Sequence, residues 1–196
     1  IIFPIPSSIL LNKKSDFHLI VEIHSNEKNN FQKTLKNIFK KNLAEIIRIE
    51  NNLKSSWIWK KREKLVHIQE ELSYNHKFDI SLPLSQWKNF ILQTNKFIKN
   101  NPQFTPYFFG HLGDGNLHCN FKVENEINKD INNLSEFIYD LTISLNGSIA
   151  AEHGLGQKKN TLLKKYKSKE YYDFLKNLKK YLDPKKNLGA NKLFKS

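Results

Sequence analysis

Apolar and polar positions alternate through FHLIVEI (Phe17–Ile23), a period of two that predicts a β-strand. From Phe31 to Arg48 the spacing changes. Phe31, Leu35, Ile38, Leu43 and Ile46 recur at close to helical intervals, so this stretch predicts an amphipathic helix. A second helix is expected from Ser56 to Leu72, carrying Trp59 and Arg62. KFDISLP (Lys77–Pro83) reads as a short strand, after which Ser85 is expected to cap a helix that turns Trp87, Phe90, Ile91, Phe97 and Ile98 inward. Two strands flank the glycine-rich stretch FFGHLGDGNLHCNF (Phe108–Phe121). Another helix runs from about Asp130 to Leu145 and stops at Asn146-Gly147. GSIAAEH is expected to be a short strand or extended segment, and a last helix from Ser168 ends before Asp183-Pro184. Several strands lie too close in sequence for parallel crossovers, so the pattern predicts an α+β domain with an antiparallel sheet.

With 196 residues and no long linker or internal repeat, the chain fits one domain, large enough to bury a core without metal or disulfide support. Cys119 is the single cysteine, which excludes a disulfide framework and suits a reducing compartment, cytoplasm or mitochondrial matrix. The opening IIFPIPSSILL is apolar but short and broken by two prolines, and it reads as neither a signal peptide nor a membrane span. The sequence holds no methionine, so the chain is expected to be a fragment or an excised domain.

A formal charge of +13 raises the question of nucleic acid. Arg48 and Arg62 are the only arginines, and the lysines are scattered beside asparagines rather than gathered with aromatics on one stripe. That distribution argues against nucleic-acid recognition, which leans on guanidinium forks. It still favours anionic ligands.

The candidate chemistry lies in GHLGDGNLHCN. If Asp114-Gly115 forms a two-residue type I′ turn, His111 falls directly across from His118, with Cβ atoms roughly 4.5–5.5 Å apart. Two imidazoles at that spacing can share one metal ion at about 2.0–2.1 Å each. Alternation places Asn116, His118 and Asn120 on one polar face and Leu117, Cys119 and Phe121 on the core face. Downstream, GSIAAEHGLGQ supplies Glu152 and His153. In an extended segment these two side chains point apart, so Glu152 can complete a His-His-Glu set while His153 faces another ligand. Two histidines and a carboxylate leave coordination positions open, the arrangement of a catalytic metal site. The GDG and GLG turns are expected in hairpin-like contexts, so neither reads as a phosphate cradle for a dinucleotide. By residue type alone, Arg62 and Lys77 read as solvated charges.

GHLGDGNLHCN and GSIAAEHGLG, in that order, resemble the paired signatures of the FAD-linked oxidase C-terminal domain. This is the family of D-2-hydroxyglutarate dehydrogenase, D-lactate dehydrogenases and the glycolate oxidase flavin subunit. WIWKKRE (Trp57–Glu63), KFDISLP and the terminal DPKKNLGANKL resemble further family segments, so the likeness spans essentially the whole chain. It implies an antiparallel sheet with helices packed on one face, in ferredoxin-like halves. It implies that His111, His118 and Glu152 bind a divalent metal, usually zinc, and that His153 is the base beside the substrate. Asn120 would contact substrate or metal-bound oxygen, and Arg62 and Lys77 would hold the substrate carboxylate. FAD would sit mainly in a separate N-terminal domain absent from this chain, met in cis or in trans, and a homodimer is left open. Two positions depart from the pattern. Val66 stands where the 2-hydroxyglutarate enzyme has a hydroxyl residue, and Gly189-Ala190-Asn191 replaces the usual Asn-Pro-Gly. The implied activity is oxidation of a D-2-hydroxy acid to the 2-keto acid. A metal-dependent hydrolase using the same His-His-Glu site, or a non-catalytic remnant, are the other readings of these residues.

Overall fold

A computed structural model describes residues 19, 20, 37, 59, 60, 62–64, 76–123, 128–157, 159–189, 192 and 194. The chain divides into two compact units, Ile1–Tyr74 and Asn75–Ser196, each taken by itself. In the first unit, Trp59, Lys60 and Arg62–Lys64 are helical, as is Asn37, in line with the two helices expected there. Of the strand expected at Phe17–Ile23, only Leu19 and Ile20 are described. Both are exposed and in no regular element. The rest of these three elements, and Val66, lie outside the described residues.

Among the described residues the second unit holds three antiparallel strands, β1 (His76–Ser81), β2 (Phe104–His111) and β3 (Asn116–Val123), in the order β1-β3-β2. Helix α1 (Trp87–Lys99) joins β1 to β2, and α2 (Asn128–Ser144) follows β3. After α2 the chain returns to the free side of β1 and makes one antiparallel bridge, Ser81 to Ser148, hydrogen-bonded in both directions at 3.0 and 2.8 Å. This βαββα order is that of a ferredoxin-like unit whose fourth strand is reduced to a single rung. Helices α3 (Asn160–Tyr166) and α4 (Lys169–Leu182) complete the unit.

The expected α+β class with an antiparallel sheet is what forms, and alternation explains it. Phe78, Ile80, Phe108, Leu117, Cys119 and Phe121 all point to one face and are buried. Aromatic rings join that face to the helices. Phe78 meets Tyr139 of α2 edge-on at 5.4 Å, and Phe97 of α1 stacks on both Phe104 and Phe137. Burying each such side chain stabilises the fold by about 1.5–3 kcal/mol.

The helix boundaries need one correction. Ser85 does not cap α1: it lies within a 3-10 turn, Leu84–Gln86, and the cap position is Gln86, without a side-chain hydrogen bond. The 3-10 turn begins directly after Pro83, so the helix proper starts a residue beyond Ser85's reach. By contrast α2 stops where expected. Asn146 takes a left-handed φ of 59°, its N–H donates to Ile143 O, and the Gly147 N–H donates to Thr142 O at 2.8 Å, a Schellman ending. Ser168 caps α4 by accepting from the Tyr171 N–H.

Candidate functional site

The hairpin between β2 and β3 differs from the two-residue turn expected. Four residues, Leu112 to Gly115, connect the strands, and His111 pairs with Asn116 rather than His118. A type I′ turn needs positive φ at both central residues, but only Gly115 has it, at 75°. Asp114 instead accepts a hydrogen bond from the Asn116 N–H at 2.9 Å, an Asx turn. Gly115 is committed elsewhere too. Its carbonyl accepts from the Leu82 N–H at 3.0 Å, and a Cβ at this position would lie 2.5 Å from Leu82 O.

The face assignment survives this shift, because His111 and His118 move from opposite to diagonal positions on the same side of the sheet. Three cross-strand rows make that side: Lys77–Asn120–Tyr107, Asp79–His118–Phe109, and Ser81–Asn116–His111. The His111 and His118 rings are 6.0 Å apart, nearly perpendicular. Glu152 comes over them from the loop after Ser148. One of its carboxylate oxygens lies 3.4 Å from His111 Nε2 and the other 3.9 Å from His118 Nε2. Donor atoms of His111, His118 and Glu152 all fall within 4.8 Å of one another, a spacing a single cation can bridge.

The loop that brings Glu152 is not a strand. Residues 151–153 are bent, and their consecutive N–H groups converge on one oxygen of Asp79, at 3.2, 3.0 and 2.9 Å. Glu152 and His153 therefore do not simply alternate sides. His153 also approaches the site, its ring stacked 5.9 Å from that of His118 and its Nδ1 3.7 Å from Asp79 Oδ2. His153 is open to solvent, with 70% of its side chain exposed, whereas His118 is at 12%. The Gly154-Leu155-Gly156 turn leads into α3 rather than lying in a hairpin, with positive φ at both glycines.

Lys159 closes the loop from the other end. Its Nζ donates to the Ile149 carbonyl at 2.7 Å and to the Asp79 carbonyl at 3.2 Å. Burial pushes this ammonium below its usual range, with the Asp79 charge opposing. Burial also pushes the His118 imidazole down, against Asp79 and Glu152, which pull it up. For Asp79 itself, burial raises the carboxyl, but the three amides and His153 outweigh it and hold the group below the usual carboxylate range.

Of the residues expected at the site, His111, His118, Glu152 and His153 come together. Asn120 is buried one row from His118, so it forms floor rather than rim, and Lys77 opposite it is exposed. Arg62 is half-buried on a helix of the first unit. Three contributors are missed by the sequence reading: Asp79, Phe109 and Lys159. The first has a signal, since strand alternation puts Asp79 on the same face as Lys77. Among the described residues, no helix is long and apolar enough to cross a membrane.

Residues 6–193 match the family described as FAD linked oxidases, C-terminal domain. The chain is 29% identical over 189 residues to the mitochondrial D-2-hydroxyglutarate dehydrogenase of Arabidopsis thaliana, covering 93% of this chain and 33% of that protein. It is 33% identical over 136 residues to the mitochondrial D-2-hydroxyglutarate dehydrogenase of Bos taurus, covering 69% and 25%. To the D-2-hydroxyglutarate dehydrogenase of Stutzerimonas stutzeri it is 30% identical over 145 residues, covering 70% and 31%. The chain thus spans about a third or less of the length of these curated relatives.

Proposed function

Because the chain belongs to the FAD-linked oxidase C-terminal domain family, we propose that it is the substrate-and-metal half of a flavin-dependent dehydrogenase of D-2-hydroxy acids. The substrate is of the D-2-hydroxyglutarate or D-lactate type and the product is the 2-keto acid. The convergence of His111, His118 and Glu152 carries this reading. Two imidazoles and one carboxylate suit zinc or a similar divalent cation, and these three residues would hold it. A bound cation supplies Lewis acidity toward the substrate hydroxyl. The flavin, bound mainly by a partner domain in cis or in trans, supplies the hydride acceptor.

The chain's own residues do the rest. His153, exposed and adjacent to His118, takes the hydroxyl proton. Lys77 stands exposed across from Asn120 and fixes a substrate carboxylate. Asn120 contacts the substrate from the floor of the sheet. The names of the Arabidopsis thaliana and Bos taurus relatives favour a mitochondrial location.

Elemental analysis is expected to find about one divalent metal per chain, lost in His118→Ala while the far-UV circular dichroism is retained. A well-folded wild-type chain that takes up no divalent metal sinks the ligand assignment. Reconstitution with the flavin domain should then give flavin bleaching by D-2-hydroxy acids. Ester or amide turnover by this chain alone would favour the hydrolase reading instead.

A further inference from the structure

Asp79 touches both halves of the proposed ligand set, His118 across the ladder and the Glu152 loop 73 residues further along the chain. One carboxylate oxygen, Oδ2, receives the three consecutive N–H groups of Ala151, Glu152 and His153. A run of amides turned onto a single anion fixes backbone, not merely side chain, so the Cα of Glu152 is set by Asp79. The other oxygen, Oδ1, is buried and makes no hydrogen bond within 3.5 Å. Nδ1 of His118, the residue directly across the ladder, lies 3.6 Å from it. A buried carboxylate oxygen without a donor is costly, and the N–H of that imidazole is the group placed to satisfy it.

We propose that Asp79 is the positioning residue of the site, placing the Glu152 backbone with one oxygen and setting the tautomer of His118 with the other. With the proton of His118 held on Nδ1, the lone pair lies on Nε2, the nitrogen that faces Glu152 at 3.9 Å. A carboxylate behind a ligating histidine both orients the ring and raises its basicity. Lys159 reinforces the arrangement by holding the main-chain oxygen of the same residue. Asp79 thus prepares the metal side and the His153 side of the site together. The inference deepens the metal assignment made above and rests on it only for the binding readout.

The test uses the whole chain, metal-free and then titrated with zinc against a chromophoric chelator. In the metal-free wild type, long-range proton–nitrogen spectra of the imidazoles should show His118 with its proton on Nδ1. Asp79→Asn, which keeps the side-chain size, should mix the His118 tautomers and speed amide exchange at residues 151–153. It should also weaken zinc binding about 10–100-fold, with His118→Ala as the zero-binding reference. Unchanged tautomer, exchange and affinity in a folded Asp79→Asn chain overturn the proposal. If Asp79→Asn does not fold, the wild-type spectrum decides alone: a proton on Nε2 of His118 overturns it and one on Nδ1 supports it. Should wild type bind no zinc yet keep the Nδ1 tautomer and lose it in Asp79→Asn, the metal reading fails and the positioning role stands.

Discussion

Phe109 lies directly across the β2–β3 ladder from His118 and lays its ring on the imidazole, 4.6 Å between centroids and 28° between planes. The place opposite His118 is therefore an apolar wall rather than a second ligand. That wall limits rotation of the His118 ring, so Phe109→Ala should lower zinc affinity several-fold and cost roughly 1–3 kcal/mol of stability, while Phe109→Leu recovers most of the stability. Chelator competition and thermal unfolding of the two variants check this. Equal zinc affinity in all three chains would show that the ring is held from the Asp79 side alone.

Gly110 precedes His111 in the same strand, and a Cβ there would sit 2.1 Å from Asn116 O. The clash is with main chain that cannot swing aside, so Gly110→Ala should destabilise by more than about 2 kcal/mol. Gly113, two residues past His111 in the connecting loop, has nothing within 4 Å of the position an added Cβ would take. Gly113→Ala is the control and should stay within about 0.5 kcal/mol of wild type. Urea unfolding of both variants gives the comparison, and a mild Gly110→Ala would contradict the strand spacing described.

Tyr139 is packed on Phe78 in the core, and its phenol is pushed up to about 12 by burial, with Tyr166 and Asp79 adding to the effect. A folded-state pKa raised above the unfolded value of 10.0 favours folding fully below that value and is lost as pH rises toward the folded one. The chain should accordingly lose on the order of 2–3 kcal/mol between about pH 10 and 12. Tyr139→Phe should flatten that slope. Alkaline unfolding curves of the two chains measure the difference, and parallel curves would refute it.

Ser168 accepts the Tyr171 N–H at the start of α4. Ser168→Ala should cost about 1 kcal/mol, and Ser168→Asp should restore it. Because the cap is exposed and belongs to α4, which supplies none of the proposed ligands, zinc affinity should not change in either variant.

How far the sequence discloses this architecture depends on the range of the interaction. Periodicity locates β1, α1, the β2–β3 pair, α2 and α4, since each buries one face and the spacing records which. It also places Asn116, His118 and Asn120 on one side and Leu117, Cys119 and Phe121 on the other. The hairpin register is not disclosed, because Gly115 is tied to Leu82, more than thirty residues earlier in the chain, and Asp114 to the Asn116 amide. Seven-residue α3 is too short to show a period. His111, His118, Glu152 and His153 are visible as residue types, whereas Asp79 reads as one acid in a strand. Its partners are main-chain amides 72 to 74 residues away, and amides leave no mark in a sequence.

The single Ser81–Ser148 rung has a meaning for solubility. A strand along the outer side of β1 would satisfy its main-chain groups and bar a second molecule from adding there. Among the described residues, that side is covered by a loop, fastened through one rung, one carboxylate and one lysine. Whatever loosens the loop to admit a ligand or a partner domain also bares a template for strand addition. Variants that weaken the site through Asp79 or Lys159 should therefore show their defect first as self-association, before any loss of secondary structure.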